Sequence, residues 1–155
     1  MRTIMMDTRE QEHKHDFVLD WFEKNDYKVI RSKLFVGDYT YLDNQTICVD
    51  TKKDLLEVVG NVTKQHQRFV DELQRASENG IKLYILVCED GINELSDVNR
   101  WWNPRLRYNP KATKGTTLFK ILYKIEKEYN TKFIFTTKER CGADIIKILD
   151  GGIND

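Results

Sequence analysis

The chain opens with a short apolar run, Ile4-Met5-Met6, that stops at Asp7. We read a first strand over residues 2–6. Beyond it, Phe17, Val18, Trp21 and Phe22 recur at i, i+1, i+4 and i+5, which is one face of a helix. Asp7 or Thr8 is placed to cap that helix, and Asn25-Asp26 to end it. "YKVIRSKLFV" and "GDYTYL" read as strands, and "DNQ" as a turn before a further strand, "TICVDTK". Three strands so close in sequence predict an antiparallel meander. From about Lys53 to Asn79 the period is helical, with a break expected near Gly60-Asn61 and Gly80 as the closing cap. "IKLYILVCE" is the most apolar stretch and reads as a buried central strand. A strand, a long helix and a buried strand together predict a crossover unit with parallel strands. Residues 91–115 hold both prolines and read as mostly irregular. "TTLFKILYKIEKEYN" puts Leu118, Ile121, Leu122 and Ile125 on one helical face and lysines on the other. "TKFIFTT" is a strand and "GADIIKILDG" a final helix. The order predicts an α/β fold, a mixed β-sheet flanked by helices.

Length and composition narrow this further. At 155 residues the chain is expected to form a single domain, 1–155, with a substantial core. No stretch approaches the ~20 apolar residues of a membrane span, so no membrane partner is expected. The early Asp7 argues against a signal peptide. The three cysteines have no CxxC spacing, so neither a disulfide framework nor a zinc site is suggested, and a cytoplasmic location is expected. "KGTT" at Lys114 lacks the spacing of a phosphate-binding P-loop, and no small-molecule cofactor is expected. His13 and His15, at i and i+2, would point apart on a helix and make a poor metal pair.

The formal net charge is zero, but its distribution is uneven. From Arg100 to Lys124 there are seven basic residues, Arg100, Arg105, Arg107, Lys111, Lys114, Lys120 and Lys124, and no acidic one. Trp101, Trp102, Tyr108, Phe119 and Tyr123 interleave with them. Such a segment is a candidate polyanion surface, with a solvated helical face as the plainer alternative.

Four features carry candidate chemistry: Asp7 ending the first strand, Gly37-Asp38 opening the third, Asp50-x-Lys52 ending the fourth, and the helix with Gln65, Arg68, Glu72 and Arg75. Residues i and i+2 of a strand face the same side, so Asp50 and Lys52 share a cleft. Asp38, on the neighbouring strand, can approach Asp50. Two carboxylates so close favour a cation between them, and Mg²⁺ or Mn²⁺ suits hard oxygen ligands with room for a phosphate. An isolated D-x-K is ordinarily a salt bridge at a strand end. A second acid on the adjacent strand raises the catalytic reading, with Asp38, Asp50 and Asp7 as metal ligands and Lys52 as the catalyst. Gln65, Arg68, Glu72 and Arg75 fall on one helical stripe that can edge the same cleft. Arg68 is placed to hold a phosphate, and Glu72 to orient Arg68 or a water.

Three segments in order, "MDTRE" (Met6–Glu10), "VGDYTY" (Val36–Tyr41) and "VDTKKDLLEVVGN" (Val49–Asn61), resemble the ERCC4-type nuclease domain, the XPF/MUS81 branch of the PD-(D/E)xK nucleases. "RWWNPRL" and "ADIIKIL" are also similar to its small stand-alone members from bacteria and phages. The resemblance implies a restriction-endonuclease-like fold and a DNA endonuclease dependent on Mg²⁺ or Mn²⁺, working in a bacterial or phage-infected cytoplasm. It implies Asp38 and Asp50 at the metal, Lys52 as the catalytic lysine, and Asp7 as the first-strand acid with Arg9 and Glu10 beside it. The family pattern reads E-R-K, then three residues, then D. Here Asp50-Thr51-Lys52 shortens the acid by one methylene and replaces the arginine with Thr51. Its phosphate contact is then expected from Lys53 or Arg68. Asp54 comes two residues early, so no role is carried to it. The tandem helix-hairpin-helix module through which many relatives dimerise has no counterpart in these residues. DNA is the expected partner, and a homodimer remains open. The rival reading is a catalytically inactive DNA-binding or assembly subunit of the same fold.

Overall fold

A computed structural model describes residues 2–8 and 16–151. In chain order the elements are β1 (Thr3–Asp7), α1 (Asp16–Lys24), β2 (Lys28–Ser32), β3 (Tyr39–Tyr41), β4 (Asn44–Lys52), α2 (Leu55–Val62), α3 (His66–Glu78), β5 (Lys82–Cys88), α4 (Gly115–Glu128), β6 (Thr131–Thr136) and α5 (Cys141–Leu149). Two 3₁₀ turns, Leu95–Arg100 and Pro104–Arg107, organise part of the segment expected to be irregular. The six strands form one mixed sheet in the order β2-β1-β3-β4-β5-β6.

The expected meander does not form. β3 and β4 do pair antiparallel, but β2 pairs parallel with β1, and β1 lies between β2 and β3. The reason is burial. Ile4, Met5 and Met6 are all buried, so β1 needs cover on both faces and neighbours on both sides, whereas β2 is half-exposed and suits an edge. α1 provides the crossover between the two parallel strands. Period-2 alternation reports which face a strand buries, not which strand lies beside it.

β4 and β5 are parallel, as the crossover pattern predicts, and β6 joins β5 in parallel as well. β5 is apolar from Leu83 to Cys88 and feeds both layers. Leu83, Ile85 and Val87 pack with Val58, Leu73, Leu118 and Leu122 from α2, α3 and α4. Tyr84 and Leu86 pack with Val18, Phe22, Ile145 and Ile148 from α1 and α5. Each fully buried Leu or Ile contributes roughly 1.5–3 kcal/mol through removal from water, so the two layers clamp the sheet that presents the site. All three cysteines are free thiols; Cys48 and Cys141 are buried, and Cys88 only partly so.

The long helical stretch breaks later than expected. α2 runs through Gly60 and Asn61 and ends where the Thr63 hydroxyl takes the Val59 carbonyl at 2.6 Å. A side-chain donor competing for a helical carbonyl destabilises further propagation. α4 begins one residue early, at Gly115, because that residue passes the end of the first 3₁₀ turn: a Cβ there would lie 2.4 Å from the carbonyl oxygens of Val98 and Trp101.

Candidate active site

The last three residues of β4 pair with Ile85, Leu86 and Val87 at the centre of the sheet. This makes Asp50 and Lys52 an interior pair. Lys52 Nζ lies 2.9 Å from Asp50 Oδ2, with the side chains 11% and 9% exposed. The chain then turns into α2 at Asp54, which accepts from the Glu57 amide at 2.8 Å as an N-cap, while Glu57 accepts from the Lys53 amide at 2.8 Å. Capping therefore separates the polar run into two parts. Asp50 and Lys52 belong to the strand, and Lys53 and Asp54 start the helix.

Asp38 is held from two strands, β1 and β4. Gly37 takes φ +74°, and a Cβ there would stand 3.1 Å from the Val49 carbonyl oxygen. This tight turn delivers the Asp38 amide to the Val49 carbonyl at 2.8 Å, while the Asp38 carbonyl accepts from the Asp7 amide at 2.9 Å. Asp38 is 1% exposed. Its Oδ2 accepts from the Thr51 amide at 2.9 Å and the Thr51 hydroxyl at 2.8 Å. Asp7, also buried, accepts from the Leu34 amide at 2.9 Å; α1 is described from Asp16 onward, and the helix start that Asp7 or Thr8 was expected to cap falls outside the described residues.

These groups open into a cleft of about 710 Å³, lined by Asp7, Asp38, Asp50 and Lys52 on the sheet side and by Arg68, Glu72 and Arg75 on α3, with Gln65 at its N-cap. The predicted polar stripe of that helix is thus a cleft wall. Its apolar neighbours Phe69, Leu73 and Ala76 are buried below it. Glu72 bonds toward the sheet side of the cleft. Its Oε2 accepts from the Gly37 amide at 3.3 Å, linking α3 to the turn that carries Asp38.

The cleft is electrostatically loaded. Burial, and then the nearby Asp50 charge, push the Glu72 carboxyl above its ordinary range, against smaller opposing effects of Lys52 and the Gly37 amide. For Lys52, burial pulls the pKa down, but the attraction and hydrogen bond of Asp50, helped by Glu57 and Glu72, more than offset it. The ammonium ends above the ordinary lysine value and is charged at neutral pH. Among the described residues, no three His, Cys, Asp or Glu side chains converge as a preassembled cage. The surplus of buried carboxylates over Lys52 is the feature a hard cation fits.

Other predicted residues lie elsewhere. Arg9, Glu10, His13 and His15 fall outside the described residues. Lys53 and His66 are exposed, and neither lines the cleft. Arg100 pairs with Asp97, an acid just before the basic segment. Arg105 and Arg107 on the second 3₁₀ turn, Lys111 and Lys114 in the loop that follows it, and Lys120 on α4 are exposed and away from the cleft lining. Trp101 packs against the core, while Trp102 is exposed with the Arg107 guanidinium 5.9 Å from its ring centre. Sequence reasoning gave no role to Thr51, which holds Asp38, or to the cleft residues Glu57, Asn61 and Asp71. Asn61 Nδ2 donates to Gln65 Oε1 at 2.9 Å, and among the described residues the buried Asn61 Oδ1 has no partner. Its position four residues before Gln65 was the available signal.

The ERCC4 domain model matches residues 6–149, which includes every described residue of the cleft. The chain belongs to the ERCC4 domain family. Its fold is that of XPF from Aeropyrum pernix, with a TM-score of 0.66 and 18% identity over 99% of this chain. A structure of XPF from Aeropyrum pernix in complex with DNA gives a TM-score of 0.69 at 18% identity over 97% of this chain. The chain spans 62% and 64% of those two chains. A comparison with curated protein sequences found no match. Among the described residues, no helix is long and apolar enough to cross a membrane.

Proposed function

We propose that this ERCC4 domain is a DNA endonuclease that hydrolyses phosphodiester bonds with Mg²⁺ or Mn²⁺, selecting branched over linear DNA. The observation that carries the reading is the buried Asp50–Lys52 pair, at 2.9 Å, opening into the cleft that Asp38 also lines. Asp38 and Asp50 would hold the cation, with Asp7 as a third acid at the back of the site. A divalent ion bound there supplies Lewis-acid polarisation of a phosphate oxygen and makes a water more acidic at neutral pH.

The chain's own groups do the rest. Thr51 fixes the Asp38 carboxylate, so it needs no reorganisation when substrate arrives. Lys52, charged and held by Asp50, orients the attacking water and offsets the negative charge that grows on the phosphorus oxygens. Arg68 and Arg75, on the facing wall, receive the phosphates flanking the scissile bond. Lys53, Arg100, Arg105, Arg107, Lys111, Lys114 and Lys120 extend the contact to the more distant DNA backbone, where exposed cations act through counterion release.

A second reading, a DNA-binding or assembly subunit without catalysis, keeps the same fold. It gains no support from Lys52, since an ammonium buried against one carboxylate is an expensive feature to retain for structure alone. The deciding experiment incubates the purified protein with Mn²⁺ or Mg²⁺ and linear, forked and four-way DNA. Nicking by wild type that Asp50→Asn loses supports the enzyme. Equal nicking by the two proteins, or none by either on any substrate, sinks it.

A further inference from the structure

The segment from the end of β2 to Asp38 carries features that catalysis leaves unused. Arg31, Lys33 and Phe35 alternate along it and are exposed, while Leu34 and Val36 are buried. Phe35 is 59% exposed. Single exposed apolar side chains are ordinary on protein surfaces. Two observations set this one apart.

The first is how it is held. The Leu34 amide donates to Asp7 at 2.9 Å, the Phe35 carbonyl accepts from Arg75 Nε at 3.0 Å, and the Gly37 amide donates to Glu72 at 3.3 Å. Each of these bonds ends on a side chain that lines the cleft. The buried neighbours on either side prevent the loop from rotating the ring inward. Phe35 is therefore presented beside the cleft on a loop tied to its walls.

The second is charge. Arg31 and Lys33 precede the ring on the exposed side, and Arg75 is bonded to its own carbonyl. An aromatic face among cations suits a nucleic-acid strand, which offers phosphates to the cations and a base face to the ring. An acidic peptide would satisfy the cations and leave the ring unused.

We infer that Phe35 is a stacking platform for an unpaired base of a DNA strand entering the cleft, with Arg31 and Lys33 meeting the phosphates of that strand. The inference rests on the DNA endonuclease reading for its substrate class. Bases within a duplex already stack on their neighbours, so the platform engages only a flap, gap or frayed end. It thereby supplies selectivity for branched DNA at a residue that performs no chemistry.

The test uses fluorescence anisotropy in EDTA with two labelled probes, a fully paired duplex and the same duplex bearing a single-stranded flap. Wild type is compared with Phe35→Ala and Phe35→Trp after thermal melts establish that both variants are folded. Phe35→Ala should lose about fivefold to a hundredfold in affinity for the flapped probe, the range expected for one stacked base, and keep its affinity for the paired duplex. Phe35→Trp should bind like wild type and change its emission on adding the flapped probe but not the duplex. Wild-type affinity of Phe35→Ala for the flap, or an equal loss on both probes, overturns the platform alone. Failure of wild type to bind either DNA overturns the endonuclease reading with it.

Discussion

Lys52 Nζ and Asp50 Oδ2 lie 2.9 Å apart at the end of an interior strand, both side chains almost withdrawn from solvent. Removing one partner of such a pair strands the other charge, which typically costs about 3–5 kcal/mol. Here Glu72 lies close enough to add to the stranded negative charge. We expect Lys52→Met to lower the unfolding free energy by about 3 kcal/mol in EDTA and DNA cleavage by about a hundredfold or more. Adding Asp50→Asn should restore part of the stability and none of the cleavage. Urea unfolding of the double-mutant cycle checks this, and additive effects of the two substitutions would refute the coupling.

The Thr51 hydroxyl and amide both donate to Asp38 Oδ2. Thr51→Val keeps the shape and the amide but removes the hydroxyl. Hydrogen bonds to a charged group contribute about 1.5–3 kcal/mol, so a loss of that order is expected in denaturant melts. Metal affinity should fall as well, read by calorimetric titration with Mn²⁺, because Asp38 is then less firmly placed. Thr51→Ser should behave much like wild type. A Val variant as stable and as metal-competent as the Ser variant would remove Thr51 from the site.

Gly37→Ala confronts two obstacles at once. The residue sits at φ +74°, where an L side chain is disfavoured by about 1–2 kcal/mol, and the new Cβ would press on the Val49 carbonyl oxygen. That carbonyl is the acceptor of the Asp38 amide. We expect destabilisation of about 2 kcal/mol or more together with a displaced Asp38, seen as lost Mn²⁺ binding in a variant that still melts cooperatively. Unaltered metal binding would uncouple the turn from the site.

Glu72 gives a pH signature opposite to that of most carboxylates. Burial and Asp50 raise its folded pKa above the ordinary 4.5. Between the ordinary and the raised value the folded chain binds more protons than the unfolded one, so this group's contribution to stability falls as pH rises through that window and stays lower above it. Glu72→Gln retains an acceptor for the Gly37 amide without the charge. In metal-free buffer the variant should gain on wild type as pH climbs from 4.5 to neutrality, and the gain should vanish below 4.5. Parallel stability curves for the two proteins across that range would contradict the placement of Glu72 against Asp50.

Much of this was legible from the chain. The Asp50–Lys52 pair followed from period 2, the helical stripe of Gln65, Arg68, Glu72 and Arg75 from period 3.6, and the role of β5 from its unbroken apolar run. Each is local: spacing along one element dictates which side chains share a face, whatever that element packs against. The lateral position of β1, the grip of Thr51 on Asp38, and the bond from Glu72 to Gly37 were decided elsewhere. Those relations join residues 13 and 35 apart in sequence. They exist because two layers of helices bury both faces of one sheet and, among the described strands, leave β2 at the edge beside β1. The sequence by itself determined the groups that can act and the faces they occupy. Tertiary packing determined which groups meet, since the order of strands is set by the burial of the whole sheet, and no short-range period encodes it.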